Sequence, residues 1–208
     1  MFVKTLLMLM AANVLSAGHI GHPENRIIGG TKYTVRAGSS NKNKGGQLLN
    51  VAKILVHEYF YIDESKGLFL NDIAVLRLSN PVKIGPSVQT IDLARYTPPA
   101  GAQALVTGWG KISPNVIETP IILQGINVTI LSFNECLLLG ANEGNICAGS
   151  NGKTTCDGDS GGGLVVNNQV VGVLSAGDKS CYKAGEFASV PYYHQWILGA
   201  IDKAYSLL

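Results

Sequence analysis

The stretch TTCDGDSGGG, residues 154–163, places Ser160 directly after an aspartate and before three consecutive glycines. A serine in this setting either belongs to a tight turn or acts as a nucleophile. A nucleophilic serine needs a neighbouring base to take its proton. The question is therefore which histidine could serve, and the sequence offers these: His19, His22, His57 and His194.

The composition predicts an ordinary globular protein. The chain has 208 residues, of which 46% are hydrophobic and 14% are charged, so it can bury a sizeable core as one large domain or two small ones. The net charge of +2 comes without a basic run, and we predict no nucleic-acid partner. No two cysteines have CxxC spacing, so we predict no zinc or other metal site. We also predict no cofactor.

The N-terminus resembles a secretory leader over residues 1–18. Lys4 precedes an apolar stretch from Thr5 to Val14, and three small residues, 16–18, follow it. A membrane anchor is the alternative, but the stretch is too short to span a bilayer. We predict a secreted, extracellular protein that does not act at a membrane. Its four cysteines should then form disulfides, for which three pairings are possible; they are Cys136, Cys147, Cys156 and Cys181.

Short apolar runs separated by turn signals predict an all-β fold. The candidate strands are residues 50–59, 72–79, 103–110, 125–131, 161–166 and 169–175. Asn127 lies in the fourth and begins an Asn-Val-Thr sequon, a candidate glycosylation site if it is exposed. Only the end of the chain has helical spacing, and Pro191 would start that helix.

Several motifs together resemble the trypsin-like (chymotrypsin-fold) serine endopeptidases. They are RIIGGT (26–31), NDIAVLRL (71–78), VTGWG (106–110), NICAG (145–149) and CDGDSGG (156–162). The resemblance implies two antiparallel barrels of the six-stranded type, of which the first is truncated, and a closing helix. The corresponding segments are a leader (1–18), an activation propeptide (19–26) and a protease domain (27–208), divided into the first barrel (27–100), the second barrel (101–190) and the helix (191–208).

The resemblance also implies catalytic roles. Ser160 would be the nucleophile, and the N–H groups of Gly158 and Ser160 would stabilise the oxyanion. Asp72 would orient the base. Cleavage after Arg26 would free the ammonium group of Ile27 to pair with Asp159. The implied partners are polypeptide substrates, an activating trypsin-like protease and protein inhibitors of proteases.

The same resemblance assigns the substrate pocket and the disulfides. Thr154 would form the pocket floor, where trypsins carry aspartate, so we predict a preference for apolar or aromatic side chains. Gly177 and Gly185 would keep the pocket open, and Ser175 would lie on the strand that binds substrate. Two residues depart from the family pattern, Ala176 in place of tryptophan and Gly163 in place of proline. The implied disulfides are Cys136–Cys147 and Cys156–Cys181.

The base is the missing part of this pattern. In the family the base histidine lies in a TAAHC-like motif, between the IIGG start and the segment that YTVRAGSS resembles. Here only Thr31 and Lys32 separate Gly30 from Tyr33, so this motif is missing. His19 and His22 fall in the predicted propeptide, His57 resembles a surface histidine, and His194 lies on the predicted helix. The sequence therefore predicts a chain that lacks its general base and is inactive or very weak.

Three hypotheses account for this pattern. The chain is a secreted serine endopeptidase whose sequence has lost a segment, or it is an inert homologue that binds or regulates other proteins. A third hypothesis takes residues 158–162 as the G-x-S-x-G motif of an α/β-hydrolase, with Asp178 and His194 completing a triad.

Overall fold

The computed structural model describes residues 9–10, 13–16, 33–63, 65, 67–150 and 152–206. Within them the fold is mostly β. In chain order the strands are β1 (Leu9–Met10), β2 (Asn13–Ser16), β3 (Thr34–Ala37), β4 (Gln47–Val56), β5 (Tyr61–Asp63), β6 (Leu68–Leu70), β7 (Ala74–Leu78), β8 (Asp92–Leu93), β9 (Gln103–Gly108), β10 (Gln124–Thr129), β11 (Asn145–Ala148), β12 (Gly163–Val166), β13 (Gln169–Ala176) and β14 (Gly185–Ser189). The helices are α1 (Phe133–Leu138) and α2 (His194–Ser206).

The first sheet has five strands in the order β1-β2-β7-β4-β3. Strand β7 is central: Ala74, Val75, Leu76 and Leu78 are buried, and antiparallel partners flank it on both edges. A strand that is buried on both faces is typically a continuous apolar run. The β7 sequence AVLRL fits this pattern except at Arg77. Its neighbour β4 instead alternates between half-buried and exposed residues along QLLNVA, as expected for a strand with one face in water.

The strand β2 lies inside the segment that the sequence assigned to a leader. It pairs antiparallel with β7, with Ser16 opposite Ala74 and Asn13 opposite Arg77. The predicted propeptide (19–26) and Ile27 lie outside the described residues. The leader remains a prediction, but the structure gives this stretch of backbone a place in the first sheet.

The second sheet contains β10, β9, β12, β13, β14 and β11 in that order, and β8 pairs with β13 in parallel. A separate two-stranded sheet joins β5 to β6. All six strands predicted from apolar runs have a counterpart, namely β4, β7, β9, β10, β12 and β13. The prediction of a mostly-β fold with a C-terminal helix is confirmed.

Both helices differ in detail from the prediction. α1 was not predicted, although Ser132 and Glu135 form a complete capping box at its N-terminus. α2 begins at His194 rather than directly after Pro191, because residues 189–193 first form a turn in which the Tyr193 N–H donates to the carbonyl of Ser189.

The core joins the two halves of the molecule. One buried cluster combines Ile73 and Val75 of the first half with Val173 of the second sheet and Ile197 of α2. A second cluster fills the second half around Phe187, and a third fills the first sheet. The segment 72–75 is therefore held from both sides by apolar burial, the main stabilising force of the fold.

Two disulfides close loops in the second half. They join Cys136 to Cys147 and Cys156 to Cys181, with Cα–Cα distances of 5.4 and 4.9 Å. Both are the bonds that the family resemblance implied. The described ranges contain no helix with the length and apolar character needed to cross a membrane, and no cluster of three metal-ligating side chains.

Candidate active site

Asp72 is the central acidic group between the two halves. Its side chain is only 7% exposed, and its Oδ2 accepts a hydrogen bond of 2.7 Å from the Ser175 hydroxyl. Ser175 lies at a bulge in β13, between Leu174 and Ala176, where the register with β14 shifts. A bulge redirects a side chain, and this one brings Ser175 to Asp72. Sequence reasoning placed Ser175 on the substrate strand and missed this contact.

Replacing Ser175 with alanine is expected to lower the free energy of unfolding by about 1–3 kcal/mol, because the buried carboxylate of Asp72 loses one of its hydrogen bonds. Urea denaturation followed by tryptophan fluorescence would measure the loss. The matched control is Ser87→Ala, since Ser87 is exposed, and it should change the value by less than about 0.5 kcal/mol. Equal losses in both variants would contradict the importance of this bond.

The loop around Ser160 leaves specific polar groups unused. Ser160 is exposed, and its hydroxyl makes no hydrogen bond with any residue that the structure describes. The N–H groups of Asp159, Gly161 and Gly162 all donate to backbone carbonyls. Those of Gly158 and Ser160 find no acceptor within the described ranges. Two free N–H groups beside an exposed hydroxyl are the arrangement that can stabilise a developing oxyanion.

Asp159 points away from that surface into the interior. Its carboxylate accepts hydrogen bonds from the N–H groups of Gly110, at 2.8 Å, and Cys156, at 3.1 Å. A Cβ at Gly108 would lie 2.0 Å from Asp159 Oδ1, so the glycines of the VTGWG motif make room for this carboxylate. Burial raises the pKa of Asp159, against the effect of the two backbone hydrogen bonds.

A cavity of about 230 Å³ opens beside the Asp159 carboxylate, and Lys111, Thr154 and Cys156 also line it. Lys111 itself pairs with Asp157 at 3.2 Å. No cation among the described residues pairs with Asp159. The cavity therefore offers a partly desolvated carboxylate to a positively charged group that enters it.

Two of the predicted pocket residues, Gly177 and Gly185, lie close to Thr155. A Cβ at Gly185 would lie 2.6 Å from Thr155 Oγ1, and a Cβ at Gly177 would lie 3.6 Å from it. Thr155 is 3% exposed. The Oγ1 atoms of Thr154 and Thr155 are buried and have no hydrogen-bond partner in the described part of the chain. Sequence reasoning did not include Thr155 in the pocket, although it directly follows Thr154, the predicted pocket floor. Burial also raises the pKa of nearby Glu186.

His57 lies in an aromatic cluster, with its ring centroid 4.7 Å from that of Trp196 and 5.5 Å from that of Tyr193. Its Nδ1 accepts from the Tyr59 N–H at 3.2 Å. Burial lowers the pKa of His57, against the smaller opposing effect of Glu58. Within the described part of the chain, His57 makes no hydrogen bond to Ser160.

The structure lacks the features that an α/β-hydrolase needs around its nucleophile and its triad. The strand β12, not a helix, follows Ser160. Asp178 accepts hydrogen bonds from Ser180 and from the N–H groups of Tyr182 and Lys183, all within its own loop. His194 is the half-buried first residue of α2. The third hypothesis, an α/β-hydrolase, is therefore wrong.

His19, His22 and Arg26 lie outside the described residues.

Asn127 is exposed on β10, which lies at the edge of the second sheet. Its side chain is thus accessible, as glycosylation would require. Whether the sequon is used stays a prediction.

The fold and the site define a class, the chymotrypsin-like serine proteases. Neuropsin, a serine protease expressed in the limbic system of mouse brain, superimposes with a TM-score of 0.82 and 30% sequence identity, over 97% of this chain and 92% of its own. The Trypsin family model matches residues 7–197. The chain belongs to the trypsin family.

Two insect trypsins illustrate the similarity. Trypsin delta of Drosophila erecta is 38% identical over 172 residues, which cover 79% of this chain and 66% of that protein. Trypsin iota of Drosophila melanogaster is 37% identical over 198 residues, covering 91% of this chain and 75% of that protein. The chain thus spans about two thirds of the length of trypsin delta.

Proposed function

We propose that the chain is a serine-type endopeptidase that cleaves polypeptides through an acyl-enzyme on Ser160. The observation that carries the proposal is the unused set of groups at this loop: the Ser160 hydroxyl and the N–H groups of Gly158 and Ser160. The hydroxyl oxygen would attack the substrate carbonyl carbon, its proton would pass to a base, and the two N–H groups would bind the resulting oxyanion.

We propose His19 as this base. β2 ends at Ser16, which is paired with Ala74, and Asp72 lies two residues before Ala74. The two strands of an antiparallel pair run in opposite directions, so the C-terminal end of β2 lies beside the N-terminal end of β7, which Asp72 precedes. Three residues advance at most about 10 Å. The described register of β2 and β7 is the reason we assign the role of base to His19, the first histidine after β2.

The local sequence supports the same assignment. Residues 16–20 read SAGHI, which keeps the small residues and the histidine of the family's TAAHC-like motif and replaces its cysteine with Ile20. All four cysteines are already paired with one another, so no cysteine is left to bond at that position. The order His19, Asp72, Ser160 is also the order of the chymotrypsin triad.

The comparisons support a domain that begins before Arg26. The family model starts at residue 7, and the neuropsin match covers 97% of the chain, whereas residues 1–26 make up about an eighth of the 208 residues. On this proposal the short interval between Gly30 and Tyr33 is not a deletion of the base. Residues 26–31 then belong to a connection between β2 and β3.

The zymogen hypothesis from sequence is the second candidate for how the site becomes active. It makes Arg26 the cleavage site of an activating protease and pairs the new Ile27 ammonium with Asp159. The cavity beside Asp159 would favour an ammonium group, from Ile27 or from another source. A cation there would offset the cost of burying the Asp159 carboxylate. Cleavage at Arg26, however, would place His19 and Ser160 on separate chains.

For the substrate, we propose uncharged side chains in the pocket that the family resemblance assigns to Thr154, Gly177 and Gly185, with Thr155 beside the two glycines. A lysine or arginine would be buried there without the carboxylate that trypsins provide. Apolar side chains fit this condition. The two unpaired hydroxyls of Thr154 and Thr155 extend the class to side chains with an amide or hydroxyl group, because these would pair with the Oγ1 atoms.

The proposed function implies a secreted protein that meets protein inhibitors of proteases. The two disulfides are consistent with an oxidising compartment.

A fluorophosphonate reagent tests the proposed function directly. The whole chain should become labelled stoichiometrically, and mass spectrometry should place the label on Ser160. Ser160→Ala should remain unlabelled, whereas Ser180→Ala, a change of an exposed loop serine, should label like the unsubstituted chain. A folded chain that takes up no label would overturn the proposal and would favour the inert homologue, as the expected absence of a base predicts.

A further inference from the structure

The turn that presents Asp72 is held by the residue before it. Asn71 has a φ of +51°, a left-handed conformation that is unfavourable for most residues and tolerated by asparagine. Its side chain is used at both ends: Nδ2 donates to the Tyr59 carbonyl at 2.9 Å, and Oδ1 accepts from the Tyr193 hydroxyl at 3.2 Å. Its own carbonyl accepts from the Ile73 N–H at 2.9 Å.

Tyr193 comes from the other half of the molecule and is rigidly placed. It is 5% exposed and belongs to the core cluster that α2 shares with β7 and β13. Its hydroxyl lies so close to Gly144 that a Cβ there would be 2.4 Å from it. Burial raises the pKa of Tyr193, so the hydroxyl keeps its proton and remains a donor to Asn71.

We propose that Asn71 and Tyr193 form a clamp that fixes the direction of the Asp72 carboxylate, so that both are positioning residues for the catalytic reaction. The inference rests on the proposed function. Two consecutive residues of one turn are each tied to a different part of the second half, Asn71 to Tyr193 and Asp72 to Ser175. Two such bonds fix the orientation of the Asp72 carboxylate as well as the position of the turn.

The clamp explains why a tyrosine and an asparagine are used here. The left-handed conformation of Asn71 is costly unless the surroundings enforce it. Without the Tyr193 bond, the turn can relax toward a more common conformation, and the Asp72 carboxylate then rotates with the backbone. An aspartate that is misdirected holds the base in the wrong orientation, and the rate of attack by Ser160 falls.

Tyr193→Phe tests the clamp, because it removes one hydroxyl and keeps the ring in the core. We expect the rate of Ser160 labelling by the fluorophosphonate to fall about tenfold, the loss typical of one buried hydrogen bond. The matched control is Tyr192→Phe. Tyr192 is the exposed neighbour, whose hydroxyl donates to Glu143 at 3.2 Å, and its variant should label within about twofold of the unsubstituted chain.

A second background separates positioning from general stabilisation. In Asp72→Asn the same Tyr193→Phe change should cost less than about twofold, because a residue that acts through Asp72 has nothing left to position. An undiminished tenfold loss in that background, or equal losses from Tyr192→Phe and Tyr193→Phe, would overturn the clamp.

If the proposed function is wrong, the labelling experiments cannot test the clamp. A structure of the Tyr193→Phe variant tests it in that case. If the unsubstituted chain is not labelled, the proposed function fails. A crystal structure of Tyr193→Phe then decides: separation of Asp72 from Ser175 beyond hydrogen-bonding distance supports the clamp as an orienting device, and an unchanged 2.7 Å contact overturns it.

Discussion

Replacement of His19 by alanine is expected to lower the rate of Ser160 labelling about a million-fold, the loss seen when a triad protease loses its base. The reason is chemical: a serine hydroxyl attacks poorly while it keeps its proton. His19 follows β2 by three residues, and β2 is paired with the strand that Asp72 precedes. The measurement is the second-order rate constant with a fluorophosphonate, read by mass spectrometry of the Ser160 peptide.

His22→Ala is the matched control for this prediction. It removes a second imidazole from the same segment, three residues further along, and should leave the rate within about twofold. Circular dichroism would verify that both variants are folded. If His19→Ala labels as fast as the unsubstituted chain, or if His57→Ala proves to be the variant that loses reactivity, then His19 is not the base.

Removal of residues 1–26 is expected to have a comparably large effect. The shortened chain, residues 27–208, lacks both His19 and β2, so its reactivity should also fall about a million-fold. It loses the backbone partner of β7 at the same time, and an open edge on a strand as apolar as β7 favours aggregation. Under the zymogen hypothesis the same shortened chain is the mature enzyme and should be the most reactive form.

Arg26→Gln keeps this comparison decisive even if the shortened chain does not fold. The substitution blocks cleavage by a trypsin-like protease while leaving residues 1–25 in place. We expect labelling of Ser160 at the rate of the unsubstituted chain, with no cleavage needed. A variant that stays unreactive, beside an unsubstituted chain that gains reactivity on cleavage after Arg26, would establish activation at this site and rule out our assignment.

The strands could be predicted from sequence because their signals are local. Each of the six predicted strands is a short apolar run between turn residues, and each appears in the structure. The GDSGG stretch predicted Ser160 as a candidate nucleophile from the glycines on both sides of it; the structure shows that this serine is exposed, and its catalytic role stays a prediction. The contact between Asp72 and Ser175 spans the two halves and depends on a bulge, and no periodicity of side chains announces such a bulge.

The N-terminal segment shows where local signals become ambiguous. A leader and a buried strand are both short apolar runs that end in small residues. Residues 13–16 fit both patterns, and their pairing with β7, about 60 residues away in sequence, is a long-range contact that no local pattern predicts. The helix α1 was different, because its capping box, Ser132 with Glu135, was legible in the sequence and was overlooked.

The two bonds that fix the Asp72 turn come from far along the chain. Ser175 is 103 residues beyond Asp72, and Tyr193 is 122 residues beyond Asn71. Because a ribosome adds roughly 5–20 residues per second, a nascent chain must wait roughly 6 to 24 seconds after Asn71 is made before Tyr193 exists. During that time the Asp72 turn lacks the bond from Tyr193 to Asn71. The Asp72 turn can therefore reach the conformation seen in the structure only after residues 175 and 193, which follow the Ser160 loop in the chain, have been synthesised.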